Sequence, residues 1–256
     1  MEVNGRKVVI KSLFGSENYN LNTKISDNLD IEPSDKDYKI WAMPSFYDLY
    51  SAGYFYLESV GEKEDLFAID IRKFPGMLYK TSINMVEILY STDIFVEGGG
   101  YSDINKLFDI KDDIAKINLT SLFGTSKGAY FRNMKELQVY TKSTRYLGEK
   151  FNYNTKKAVA IYRTMDCMER FHATGYSDFK KAIRYDDKER EFILDIKTGK
   201  FSLEEFIKLA EHKYQNSFIK LEEDYCGHKN NDELSEYIHS IVNDVVFKNR
   251  MDCFNA

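Results

Sequence analysis

Residues 34–43 have the sequence SDKDYKIWAM, in which two aspartates lead into an aromatic and aliphatic run. The run from Asp37 to Met43 predicts a β-strand. Similar runs at Val8–Phe14 and Leu66–Ile71 predict two further strands, and the charged residues 62–65 predict a turn before the second of them. These patterns indicate a mixed α/β region over residues 1–98.

Helical and loop signals lie between and after these strands. Ser45 is a favourable N-cap residue and predicts a short helix that ends near Tyr50. Residues 72–80 are predicted to be helical, with a proline in the first turn, where proline is tolerated. Residues 17–34 are rich in Asn, Asp and Ser and predict a long loop. Residues 84–90 predict a fourth strand or a buried segment.

The pattern changes after residues 97–100, Glu-Gly-Gly-Gly, whose backbone freedom ends regular structure. Beyond this point apolar residues recur at helical spacing, and Ser202–Glu205 has the capping-box signature of a helix start. The predicted helices are 103–116, 121–147, 155–174, one that begins after Ser202, and 232–248. The sequence therefore predicts an α+β fold, with an α/β domain over residues 1–98 and an all-helical domain over residues 99–256.

Composition narrows the classes of function. A net charge of −5 argues against a surface coated with basic charge for duplex binding, but it permits a local basic pocket. Cys167, Cys226 and Cys253 form no CxxC pair, which argues against a structural zinc site or a disulfide framework. The sequence shows no signal-peptide pattern and no apolar run of about 18 residues, so we expect a cytoplasmic protein without a membrane partner.

Gly15 and Ser16 directly follow the first predicted strand. A glycine at this point lets the backbone approach a phosphate group closely, and the following N–H groups and the serine hydroxyl can bind its oxygens. The alternative is an ordinary turn, because strands often end in this way. The pair is therefore a candidate phosphate site only in combination with other residues.

Asp35 and Asp37 are two residues apart where the next strand begins, so their side chains are expected on the same face. Two like charges placed side by side repel each other. A divalent cation between them reverses the sign of this interaction, since Mg²⁺ prefers oxygen ligands and usually takes one or two carboxylates together with substrate phosphates. A solvated turn is the alternative.

Asp70 is a charged residue inside the apolar strand 66–71, and burial of an unpartnered carboxylate is costly. One interpretation is a third metal ligand on the neighbouring strand. The other is a structural salt bridge to Arg72 or Lys73. Three acids and a Gly-Ser turn can hold two metal ions, one activating the attacking oxygen and the other stabilising the leaving pyrophosphate.

The order Gly-Ser, Asp-x-Asp and a later strand Asp resembles the DNA polymerase β superfamily of nucleotidyltransferases. The stretches LFGSENYNLNT, SDKDYKIWAMPSF, AIDIRKF and INMVEILYS are similar to its RNA-repair-pathway-associated branch, which is common in bacteria and phages. The helical stretch KKAVAIYRTMDCMERFHATG also resembles the second domain of that branch. The resemblance spans most of residues 8–224 and implies a catalytic domain over residues 1–98, with a helical domain that completes the active-site cleft.

The resemblance also implies a reaction and a set of site residues. An NMP would move from an NTP to a hydroxyl, with an RNA 3′ end favoured as the acceptor by family analogy. The catalytic residues, which would also bind Mg²⁺ or Mn²⁺, would be Asp35, Asp37 and Asp70. The residues that contact the nucleotide would be Gly15, Ser16, Tyr19, Asn22, Arg72, Lys73 and Arg163.

One departure from the family pattern lies between Gly15 and Asp35, where about eight residues around 24–34 look inserted. Ser26-Asp27 imitates the start of the acid pair, but no second acid and no strand follow Asp27. We therefore prefer Asp35 and Asp37. Two alternatives to RNA transfer remain open, namely nucleotidylation of a protein or small molecule, and a nucleotide-binding or antitoxin-like interaction module with little chemistry.

Overall fold

The computed structural model describes residues 1–23, 34–51, 53–60 and 64–255. It has the predicted mixture of helices and a sheet, and the chain forms two compact units. The first unit comprises Met1–Asn18, Asp35–Asn118 and Asn230–Ala256, and the second comprises Tyr19–Ser34 and Leu119–Lys229. This division differs from the predicted boundary at residue 98, because residues 99–118 and the C-terminal segment join the first unit.

The first unit contains a sheet of six strands within the described part of the chain. The strands are β1 (Glu2–Val3), β2 (Arg6–Phe14), β3 (Lys36–Ala42), β4 (Tyr56–Val60), β5 (Glu64–Asp70) and β6 (Ile94–Val96). Their order is β1-β2-β3-β5-β4, and β6 also pairs with β2. Strands β3 and β5 are parallel, whereas the other pairs are antiparallel.

The three predicted strands are confirmed as β2, β3 and β5, with ends that differ by one or two residues. Apolar side chains of these strands form one buried cluster together with the residue that precedes β4. The cluster comprises Val8, Ile40, Ala42, Phe55 and Ala68. Strands β1, β4 and β6 were not predicted. The first and last of these have two and three residues, too few for an alternating pattern to emerge.

The helices of the first unit are α1 (Phe46–Tyr50), α2 (Phe74–Tyr79), α3 (Ile83–Val86), α4 (Asn105–Asp109), α5 (Lys111–Ala115) and α13 (Asp232–Asn255). Short 3-10 turns occupy Ile71–Lys73, Glu87–Tyr90 and Gly99–Ile104. The Ser45 cap is confirmed as a reciprocal capping box with Asp48. Residues 84–90 are helical, and all of them except Asn84 are buried, so the strand alternative was wrong. A segment this short, with mainly apolar residues, carries too little periodicity to separate a strand from a helix.

The second unit is helical around a long central helix. Its helices are α6 (Leu119–Lys135), α7 (Arg145–Phe151), α8 (Thr155–Ala173), α9 (Phe179–Ile183), α10 (Asp187–Lys197), α11 (Leu203–Asn216) and α12 (Glu222–Cys226). Helix α8 packs against α6, α9, α10 and α11. The predicted helix 121–147 is interrupted after Lys135, where a stretch with Val and Thr has low helix propensity. The capping box at Ser202 is confirmed.

Candidate functional site

The Gly-Ser turn and the Asp-x-Asp pair meet at one edge of the sheet. In the antiparallel pairing of β2 and β3, Phe14 lies opposite Asp37. Gly15, the next residue, has φ +81°, a backbone conformation that side-chain-bearing residues rarely adopt. A Cβ atom at Gly15 would lie 3.1 Å from Asp37 Oδ2. The turn therefore requires glycine, and its backbone approaches the carboxylate directly.

The residues around this contact are open to solvent to different degrees. Asp35 is exposed, whereas Asp37 and Ser16 are half-buried. Lys36, which stands between the two acids, has its Nζ 3.9 Å from Glu17 Oε1. Two accessible carboxylates beside a Gly-Ser turn fit a hard cation that completes its coordination with phosphate oxygens and water.

The structure does not bring Asp70 to this edge. In the parallel register of β3 and β5, Asp70 lies opposite Ala42, five residues beyond Asp37. At about 3.3 Å per residue, this is a separation of about 17 Å along the strand. Paired catalytic ions lie only about 3.5–4 Å apart. A residue at this distance does not share metal ions with Asp37, which corrects the expected three-acid set.

Asp70 instead forms a buried salt bridge with Arg72. The Asp70 side chain is 0% exposed; its Oδ1 accepts from Arg72 Nε at 3.0 Å, and its Oδ2 accepts from Arg72 Nη2 at 2.6 Å. The Arg72 backbone N–H also donates to Oδ1, at 2.9 Å. The hydrogen bonds that Arg72 donates to the Asp70 carboxylate raise the pKa of Arg72. The salt-bridge alternative is therefore confirmed.

Arg72 and Lys73, expected to contact the nucleotide, lie with Asp70 at the far end of β5 from Asp37. Arg72 Nη2 also donates to the backbone oxygens of Asp48 and Gly53. The structure thus brings these two cations to the end of the sheet where α1 begins. It does not bring them to the Gly-Ser turn.

The register identifies a residue that the sequence argument missed. Asp65 lies directly opposite Asp37 in the parallel pairing of β3 and β5. The signal was present in the sequence, since Asp65 precedes an apolar run just as Asp37 does, and residues 62–65 had been interpreted as a turn. Only the parallel pairing shows that both strands start at the same edge.

Tyr19, Asn22 and Arg163 belong to the second unit. The Arg163 guanidinium on α8 lies 3.8 Å from the centre of the Tyr19 ring, a cation–π contact in which both residues are buried. The Asn22 carbonyl accepts a hydrogen bond from Arg190 Nη2 at 3.0 Å. The structure therefore brings the predicted residues Tyr19 and Arg163 together, and it adds Arg190 as a neighbour of Asn22.

Lys197 is a second residue that sequence reasoning missed. It is buried near the end of α10 and donates to the Leu21 carbonyl at 2.9 Å and to Ser34 Oγ at 3.0 Å. Leu21 precedes the predicted insertion, and Ser34 is its last residue. Residues 24–33, including the competing Asp27, lie outside the described residues.

Comparison with protein families and with curated sequences adds no relative. No protein-family model matches the chain, and no curated protein matches its sequence. Among the described side chains, no group of three or more His, Cys, Asp or Glu residues is placed to hold a metal ion. None of the helices in the described ranges has both the length and the apolar character needed to cross a membrane.

Proposed function

We propose that the chain is a metal-dependent nucleotidyltransferase that moves an NMP from an NTP to a hydroxyl acceptor. The proposal depends on one observation, the approach of the Gly15 backbone to the Asp37 carboxylate where β2 ends and β3 begins. A triphosphate bound at Gly15 and Ser16 would lie beside the carboxylates that hold its cation. An ordinary turn between two strands does not require a Gly-Ser pair beside two carboxylates.

Each residue of this edge would have a separate task. The backbone N–H groups of the turn and the Ser16 hydroxyl would donate to phosphate oxygens. The carboxylates of Asp35 and Asp37 would hold Mg²⁺ or Mn²⁺. When bound, the ion supplies charge stabilisation to the triphosphate and to the leaving pyrophosphate.

We propose Asp65, in place of Asp70, as the third acid of the set. The register makes Asp65 the β5 residue paired with Asp37, whereas Asp70 is committed to Arg72. An acid at this position of β5 would accept the proton of the acceptor hydroxyl. An RNA 3′ end is the proposed acceptor, and a protein side chain or a small molecule is the alternative within the same chemistry.

The experiment is incubation of the purified chain with each of the four α-labelled NTPs, Mg²⁺ or Mn²⁺, and a single-stranded RNA oligonucleotide. We expect label on the RNA with at least one NTP. Asp37→Asn should lower transfer at least about 100-fold, because several kcal/mol of charge stabilisation is lost. Gly15→Ala should also lower transfer, since its methyl group would meet the Asp37 carboxylate.

Two matched substitutions on β5 test the assignment of the third acid. Asp65→Asn should abolish transfer, whereas Asp70→Asn should retain it when activity is normalised to folded protein. The reverse result would restore Asp70 to the metal set. Comparable transfer by Asp37→Asn would refute the proposed site. NTP binding without transfer to any acceptor would instead favour the interaction-module alternative.

A further inference from the structure

Four tyrosines that follow β3 are unusually exposed. Tyr47, Tyr50, Tyr54 and Tyr56, here named the tyrosine patch, are between 58% and 88% exposed. Aromatic rings bury a large apolar area when they pack, so four of them left in water within ten residues do not contribute to the core. An exposed cluster of this kind indicates an interaction surface for a ligand or a partner molecule.

The geometry makes the patch one surface. Tyr47 and Tyr50 are three residues apart on α1 and therefore lie on the same side of that helix. Tyr54 and Tyr56 are both exposed on either side of the buried Phe55, an alternation that places the two tyrosines on the same face. Arg72 joins the two pairs, because its Nη2 donates to backbone oxygens in α1 and at the residue before Tyr54.

Positive charge lies on the same surface. The Arg72 guanidinium is 4.8 Å from the centre of the Tyr54 ring, and Lys73 Nζ is 5.0 Å from it. The nearby carboxylates of Asp48 and Asp70 are already paired with arginines. Among the described residues, Lys73 forms no salt bridge, and its side chain is exposed. The surface therefore offers rings and a cation, the two features that bind single-stranded nucleic acid.

The patch also lies at a suitable distance from the proposed catalytic edge. Strand β3 runs from Asp37 to Ala42, about 17 Å, before the chain reaches the patch. A stacked strand rises about 3.4 Å per nucleotide, so this distance corresponds to about five nucleotides. An RNA whose 3′ hydroxyl lay at Asp37 would reach the patch with bases a few positions upstream.

We propose that the tyrosine patch binds the single-stranded stretch of an acceptor RNA upstream of its 3′ end, an inference that rests on the proposed function. Among the described residues between 46 and 56, every large apolar side chain that is exposed is aromatic. A stacking platform for bases needs rings alone, and it tolerates any base sequence. The patch thus contributes affinity for unpaired RNA without reading its sequence.

The test measures binding separately from catalysis. A fluorescent 12-nucleotide single-stranded RNA is titrated with the full chain in EDTA, without NTP, and anisotropy is recorded. Tyr50→Ala and Tyr54→Ala should each weaken binding about tenfold, the usual effect of removing one stacked ring. The conservative Tyr50→Phe and Tyr54→Phe should stay within about twofold of the wild-type chain, whereas Tyr54→Leu should weaken binding as alanine does, because it lacks the ring.

Control variants distinguish the patch from the rest of the protein surface. Tyr237→Ala removes an exposed tyrosine outside the patch and should leave binding unchanged. Lys73→Gln should weaken binding and reduce the salt dependence by about one ion. Absence of RNA binding by the wild-type chain, or unchanged binding by the alanine variants, would overturn the inference. So would a dimer in sedimentation that Tyr47→Ala dissociates, since the patch would then join two copies.

The two proposals can fail separately. If the chain labels RNA but the patch variants bind it normally, only the patch inference fails. If the patch binds RNA and no NTP is ever transferred, the nucleotidyltransferase proposal fails and an RNA-binding module remains.

Discussion

Asp70→Asn tests whether this residue stabilises the fold or serves chemistry, because the two roles predict opposite effects on stability. If Asp70 were a metal ligand, its removal in the absence of metal would relieve repulsion between acids. The variant would then be at least as stable as the wild-type chain. If Asp70 is a buried salt-bridge partner, its removal leaves the charged guanidinium of Arg72 without a counter-ion, and the variant is less stable. Asparagine has nearly the same shape as aspartate, so the substitution changes charge and hydrogen bonding and leaves packing intact.

The burial and the hydrogen bonds of Asp70 determine how much stability the substitution removes. Asp70 is 0% exposed and accepts from both the backbone and the guanidinium of Arg72. Removing one partner of a buried ion pair costs about 3–5 kcal/mol. Because the Arg72 side chain is 18% exposed, water partly solvates the remaining charge, and we expect the low end, about 3 kcal/mol. For a chain of this size the melting temperature should fall by roughly 6–12 °C.

Urea unfolding in EDTA measures this loss of stability in the first unit of the protein, which contains Asp70. The single tryptophan, Trp41, is buried in β3, so its fluorescence reports the unfolding of the first unit. Asp35→Asn, at an exposed position, is the matched control and should change the free energy of unfolding by no more than about 0.5 kcal/mol. Equal stability of Asp70→Asn and the wild-type chain, or an equal loss in Asp35→Asn, would refute the structural role of Asp70.

Two further predictions concern ion pairs and buried cations. The hydrogen bond from Arg6 holds the pKa of Asp48 well below its usual range. The ionised Asp48 carboxylate therefore stabilises the fold above about pH 4, and this stabilisation is lost as the pH falls further. Thermal unfolding of Arg6→Gln should therefore depend less on pH below 4 than that of the wild-type chain, and parallel curves would contradict this. Lys197→Met should lower the free energy of unfolding by about 1–3 kcal/mol, because the Leu21 carbonyl and Ser34 hydroxyl lose a donor. Hydrogen exchange of residues 19–23 should speed up in that variant, and unchanged exchange would exclude an anchoring role.

Several features followed from the sequence because their causes are local. Strands β2, β3 and β5 were predicted from short apolar runs, and α1 from the N-cap preference of Ser45. The meeting of Gly15 with Asp37 was also within reach, since a turn residue and a strand start identify two ends that an antiparallel pairing can join. The predicted domain boundary did not follow, because an amphipathic pattern shows that α13 buries one face but does not name its partner, which includes α2.

The sequence by itself determined that the chain is an α+β protein with a Gly-Ser turn and an acid pair at strand ends. Only the tertiary structure decided which acid of β5 is paired with Asp37. Strand register depends on pairing between distant segments, and a shift of five residues moves a side chain by about 17 Å. The parallel pairing places Asp65 opposite Asp37 and leaves Asp70 beside Ala42, where Arg72 neutralises it.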